Sequence, residues 1–520
     1  MARLGGEHPA PGRRHHDHRR RQRPRLHGDR GAGGALLERP RPRRTEHGAV
    51  PHRCAVRTDR WSEHHAPRAP GDVRTVGPLP AGGDPAGAGP RREAAGVKGI
   101  LADVRPLRVP AYRRLFTANL ISMVGAQLTV VAVPAQIYAL TGSSAYVGLT
   151  GLFGLVPLVV FGLWGGALAD HLDRRTILQV TTLGLMATSA LFWALSATGT
   201  AGPWSLLVVF AVQQAFFAVS SPTLGAVLPR LLPDELLPAA NALGMTVFTA
   251  GAVAGPLLAG VLLPLTGYAW LYAIDAVFLL APLWAVSTFP RMPVAGVSGS
   301  PGLRSVIDGF GYLATQPVLL MSFVVDLIAM VFGMPRALFP QLADQAFEGP
   351  HDGGGFAFAL LFAAIPAGAV VGGILSGWVS RVTRQGVAVV AAIIVWGLAM
   401  TGFGVACLFA SWSPHVVIWV AALFLAIGGA ADIVSAAFRT SMLQTAATDE
   451  MRGRLQGVFV VVVAGGPRIA DVVHGGAAAL TGAAAAAAGG GILVVALVVV
   501  ASIAVPSFVN HRVTTAGPAR

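Results

Sequence analysis

Long apolar runs separated by short polar breaks recur from about residue 115 to residue 508. Apolar residues fall on every side of a helical projection of these runs, as in helices that are buried or lie in lipid. A helix needs about 20 predominantly apolar residues to cross about 30 Å of hydrocarbon. By that measure twelve spans are predicted: 115–139, 145–168, 177–197, 203–225, 238–263, 268–288, 317–339, 355–379, 387–409, 415–438, 454–480 and 486–508. Hydrocarbon offers an exposed backbone no hydrogen-bond partner, so spans of this kind are helical. The predicted class is an all-α integral membrane protein, and a soluble globular domain is excluded.

The polar breaks alternate in charge. Arg174, Arg175, Arg230, Arg381, Arg384, Arg439, Arg452 and Arg454 fall in alternate breaks, and Arg105, Arg113 and Arg512 flank the first and last spans on the same side. The breaks Thr141–Ser144, Thr198–Gly202, Pro264–Gly267, Asp344–Asp352, Ser411–Pro414 and Thr481–Gly482 contain no Lys or Arg. The positive-inside rule then puts both termini in the cytoplasm of a plasma-membrane protein.

Composition changes the picture at one end only. Of the 520 residues 53% are hydrophobic and 12% charged, yet residues 1–98 carry 21 of the 39 Lys and Arg and 10 of the 25 Asp and Glu. This Arg/His/Pro/Gly-rich arm has too few apolar residues to offset chain entropy and is expected to be disordered. It reads as a basic arm, as a His-rich tract, or as an over-extended start, since Val97-Lys98 precedes a plausible beginning. Two cysteines, Cys54 and Cys407, build neither a disulfide framework nor a metal site.

A weak internal repeat is present. Pro233-Asp234-Glu235 and Thr448-Asp449-Glu450 both follow an even-numbered span, and Gly165-Gly166 in span 2 answers Gly372-Gly373 in span 8. The expected organisation is a six-helix half at 99–290, a central loop at 291–316, a second half at 317–510 and a tail at 511–520. Two such halves are the architecture of secondary transporters, whose site lies at the repeat interface.

Two motifs sharpen this. Span 2 ends in Gly166-Ala167-Leu168-Ala169-Asp170, followed by Asp173, Arg174 and Arg175. Span 5 carries Gly244, Gly251, Gly255, Pro256, Ala259 and Gly260, small residues that admit a neighbouring helix with a proline that permits a bend. The first resembles the span 2–3 signature of the major facilitator superfamily, and the second its antiporter signature. The first resemblance implies that Asp170 and Arg174 latch the cytoplasmic ends of the two halves; the second favours export. The span 4 arginine of many proton–drug antiporters is replaced by Val212-Gln213-Gln214-Ala215. Asp326 to Pro340, Asp432 to Arg439, Arg452 to Gly457 and Gly465 to Asp471 resemble the superfamily's enterobactin-exporter branch, which also contains drug exporters.

Charge inside spans is where transport chemistry is sought, because an ion there costs about 2.5–3.5 kcal/mol on insertion scales and normally faces the bundle interior. Asp275, Asp326, Arg336, Asp432, Arg468 and Asp471 are the candidates, with Arg468, Asp471 and His474 on one face of span 11. Structural ion pairing and proton coupling remain alternative roles for them. No phosphate-binding loop, nucleophile–base pair or metal-ligand motif occurs, so neither an enzyme nor a cofactor or metal is expected.

The expected protein exports a small organic molecule, a siderophore or hydrophobic drug, by proton antiport. A nutrient importer and a non-transporting membrane sensor are the alternatives. The bilayer, the cargo and the proton are its expected partners, without nucleic acid, and a monomer is favoured. A cysteine placed in the Asp344–Asp352 break is expected to react with an impermeant maleimide on intact cells; labelling only after the cytosol is opened overturns the orientation.

Overall fold

The computed structural model describes residues 103–290, 292, 310–347, 355–446 and 449–512, with 163–171, 380, 444–457 and 459–461 described without side chains. The expectations for the arm, for most of the 291–316 loop and for the side chains of Gly166 and Asp170 lie outside the described residues.

Among the described residues the secondary structure is entirely helical. Spans 1 to 4 are Pro110–Thr141, Ser144–His171, Arg174–Ala197 and Pro203–Leu231. Span 5 and most of span 6 lie in Leu237–Phe278, which turns at Gly267 (φ 75°), and Leu280–Ser287 completes span 6. Span 7 comprises Pro317–Gly333 and Phe339–Gln345, and span 8 is Phe356–Ile374. Spans 9 to 12 are Gln385–Leu408, Pro414–Ala446, Asp449–Thr481 and Ala483–Ala504.

Local chemistry sets several of these boundaries. Proline opens spans 1, 4 and 7, where its missing N–H costs nothing. Gly142, in the left-handed region, ends span 1 and donates to the Tyr138 carbonyl, while Asp173 caps span 3 by accepting from the Arg175 N–H. Among the described residues, ten segments are long and apolar enough to cross a membrane. One of them, Asp234–Ser287, is two spans folded at Gly267, and the more charged Asp449–Thr481 completes the twelve.

Two expectations are corrected. Span 10 continues to Ala446, so Arg439 belongs to a helix and not to a loop. Asp344 lies in the helix Phe339–Gln345, because span 7 is interrupted and runs further than its apolar stretch indicates.

The internal repeat is visible in the packing. Span 1 packs on spans 5 and 6, span 2 on span 4, and span 3 on spans 4 and 6. Six places on, span 7 packs on spans 11 and 12, span 8 on span 10, and span 9 on spans 10 and 12. The halves meet where span 2 lies against span 11 and span 5 against span 8, a pair of contacts that the same shift exchanges. The protein is thus a twelve-helix, two-repeat bundle.

Backbone approach at these seams requires small residues. A Cβ on Gly475 would lie 2.5 Å from the Ser144 carbonyl oxygen and 2.8 Å from the Cα of Gly148, and one on Gly260 would run into Ala359. Both contacts belong to the end of the bundle that holds the arginine-free turns. Tyr138 donates there to Asp344 at 2.9 Å and Ser144 to Gln341 at 2.6 Å, tying spans 1 and 2 to the far piece of span 7. Towards the arginine-rich end, Gly162 of span 2 and Gly244 of span 5 have open space where a Cβ would go. The halves are tied together at the end that holds the arginine-free turns.

Overpacking a filled core costs about 1–3 kcal/mol. Gly475→Val is accordingly expected to lower the Tm of the purified protein by several degrees. Gly489→Val, placed in open space in span 12, is expected to leave it unchanged.

Candidate functional site

The break in span 7 creates the site. Gly333 ends the first helix against the indole of Trp396, which donates to the Ala329 carbonyl at 3.2 Å. Pro335 follows; it offers no N–H and disfavours helical backbone at Met334 before it. Met334 leaves the helix at φ −115°, ψ 89°, and a single 3-10 turn, Arg336–Leu338, leads into Phe339–Gln345. Broken helices in membranes mark cavities, since only there can unpaired backbone be tolerated.

A cavity of about 150 Å³ lies at this break, walled by both halves. Val130, Val133 and Pro134 of span 1, Thr150 of span 2, and Phe210 and Gln214 of span 4 form one side. Arg336 and Ala337 of span 7, Phe362 of span 8, and Arg468 and Asp471 of span 11 form the other. Arg336 Nη2 stands 3.5 Å from Asp471 Oδ2, a loose pair in which the arginine side chain is 37% exposed. Arg468 donates from Nη1 to the Ala464 carbonyl and from Nη2 to Gln214 Oε1, each at 2.7 Å. Gly154 makes room for this guanidinium, since a Cβ there would lie 3.0 Å from its Nε. The cavity wall therefore carries two guanidinium groups and one carboxylate. His474, on the same face of span 11, is buried behind it.

The other candidate charges form two separate groups. Asp326 of span 7 is paired with Arg439 of span 10, and both are buried. Arg439 Nε donates to Ser435 Oγ at 3.2 Å, and Asp432, two turns back on span 10, interacts electrostatically with both partners. Asp275 of span 6 stands apart in the first half. Thr129 and Ser189 both donate to its Oδ2 at 2.7 Å, Gln213 donates to Ser189 at 3.3 Å, and Oδ1 faces Gly125 without a partner.

The two sequence motifs occupy different places from these charges. Arg174 donates to the Ala226 carbonyl at the end of span 4, and Arg175 to the Ser287 carbonyl ending span 6. Both bonds stay within the first half, and the second satisfies a helix C-terminus. Gly251 and Gly255 admit Met123 and Gln127 of span 1, with Pro256 buried beside them, whereas Gly260 meets span 8 across the seam.

Sequence reasoning missed Arg439 and Gln214 as site residues. Arg439 was countable as a loop charge, yet it lies seven residues after Asp432 and four after Ser435, on one helix face. Gln214 stood out only as one of the four residues, Val212-Gln213-Gln214-Ala215, read in place of an antiporter-like arginine. Nothing local in the sequence marks Thr129 or Ser189 as partners of Asp275.

Residues 101–516 match the family described as transmembrane secretion effector, a branch of the major facilitator superfamily. The chain belongs to this family. It is 30% identical over 371 residues, 70% of its own length and 85% of the relative's, to enterobactin exporter EntS from Shigella boydii serotype 18. The EntS of Escherichia coli O1:K1 / APEC is similar to the same extent, and that of Salmonella typhi is 28% identical over 372 residues. The fold resembles the nucleoside transporter NupG (TM-score 0.60, 12% identity, 77% of this chain and 100% of that one). It also resembles a bacterial homologue of the iron transporter ferroportin in an inward-facing state (TM-score 0.57, 14% identity, 77% and 99%). The protein is a multi-pass membrane transporter of the facilitator fold.

Removing one partner of a buried ion pair costs about 3–5 kcal/mol, because the other charge is left uncompensated. Arg439→Gln, which strands two carboxylates, is expected to lower the Tm of the detergent-solubilised transporter by many degrees. Asp326→Asn is expected to lower it less, because Asp432 still interacts electrostatically with the guanidinium.

Proposed function

We propose that this transporter exports a small anionic organic molecule of the siderophore class by alternating access, driven by proton antiport. The observation that carries the reading is the inter-half cavity at the break of span 7, whose wall carries Arg336 and Arg468 with the single carboxylate Asp471. An excess of positive charge in a low-dielectric cavity attracts an anion and disfavours a cationic drug. Its place between the repeats is the usual one for a transporter's cargo, and the relatives named as enterobactin exporters support both the direction and the cargo class.

The arginine-rich breaks favour cytoplasmic termini in the plasma membrane. With that orientation, the end where Tyr138 and Ser144 tie the first half to the far piece of span 7 faces outward. The six-helix halves at 99–290 and 317–510 then rock about the cavity. For the proton, the Asp326, Asp432 and Arg439 group is the leading site: two carboxylates beside one guanidinium leave one negative charge that a proton neutralises. Asp275, with hydroxyl donors but no cation around it, is the second.

Inverted membrane vesicles containing the full chain test this. Uptake of a catecholate siderophore is expected when the lumen is acidified and to collapse when the gradient is dissipated. Arg336→Ala and Arg468→Ala are each expected to reduce that uptake at least tenfold. Gradient-driven uptake of a cationic dye without any of the siderophore would overturn the cargo class.

A further inference from the structure

We infer that Gln214 determines the charge selectivity of the cavity, by serving as a neutral placeholder for the anionic end of the cargo on Arg468. The inference rests on the export of an anion proposed above. Arg468 lines the cavity with a guanidinium that no carboxylate touches directly, since Asp471 lies against Arg336 instead. Its Nη1 is held by its own helix through the Ala464 carbonyl. Its Nη2 reaches across the seam to Gln214 Oε1 at 2.7 Å. A guanidinium is a planar fork suited to a carboxylate or a pair of vicinal oxygens, and a neutral amide oxygen is the weaker of these partners. The amide keeps Arg468 hydrogen-bonded without neutralising it, so the cavity retains its excess charge while empty.

The adjacent glutamine has a different task. Gln213 points into the first half and donates to Ser189 beside Asp275, leaving Gln214 alone to face the cavity. The contact of Gln214 with Arg468 also joins span 4 to span 11, one half to the other. An anion that takes Nη2 from Gln214 therefore removes a bond between the halves in the act of binding. Recognition and release of the closed seam share one donor.

The same position can invert the cavity. A carboxylate in place of the amide would supply Arg468 with a permanent partner in the same reach and bring the cavity to charge balance. The test uses the purified full chain, with binding followed by thermal shift and transport by uptake into proteoliposomes. The probes are 2,3-dihydroxybenzoate as the anion and ethidium as the cation. The parent protein is expected to be stabilised by the anion and not by ethidium. Gln214→Glu is expected to raise KM for the anion at least tenfold and to bring ethidium binding in. Gln214→Leu, which removes the placeholder without supplying charge, is expected to lower the anion KM at least threefold, because the anion no longer has to displace the amide, and it still tests the idea if the Glu variant fails to fold.

Anion binding by Gln214→Glu equal to that of the parent overturns the inference while leaving the exporter reading intact. Loss of anion binding in folded Gln214→Leu also overturns it, because the amide would then be a direct cargo ligand. A parent protein that binds no anion at all overturns both.

Discussion

A chain that crosses hydrocarbon must satisfy its backbone within each helix, and the rest of this structure depends on that constraint. Helices alone are inert scaffolding, so anything specific must come from the places where they are interrupted or brought unusually close. The interruption of span 7 at Met334-Pro335 turns Arg336 into the space between the repeats. The close approaches are the glycine seams, Gly148 on Gly475 and Gly260 on Ala359. One device opens a polar site in the membrane; the other holds the two halves together around it.

Electrostatics in this bundle is organised by group rather than by residue. Among the described residues, three clusters of charge lie within spans, each with a different balance. The cavity has more guanidinium than carboxylate, the span 7–10 cluster more carboxylate than guanidinium, and the Asp275 node a carboxyl group with hydroxyl donors only. Low dielectric makes each imbalance expensive when no mobile ion is bound. It also makes occupancy by such an ion strongly felt, so imbalance marks the places where a transporter can read its cargo.

Much of the fold was legible in the sequence, because a membrane span advertises itself by length and apolarity over about 20 residues. The twelve spans and the division into two repeats followed from that pattern and from the spacing of glycine and acidic markers. The interruption of span 7 was not legible as such, although Pro335 stands in the middle of the segment, because prolines at 134, 157 and 256 sit inside continuous helices. The site was visible as a set of charged residues but not as a set of pairs. Asp275 and Ser189 lie 86 positions apart, and Arg468 and Gln214 lie 254 apart. Only packing brings such partners together. Helix periodicity grouped Arg468 with Asp471 correctly as neighbours on one face, yet gave no indication that each would bond to a different half.

The turn at Gly267 has a mechanical implication. A single residue in a conformation other side chains avoid joins the strut that meets span 8 to the one that bears Asp275. So short a linker leaves little slack, and it fixes the spacing of the strut bearing Asp275 from the strut at the meeting line at that end of the bundle.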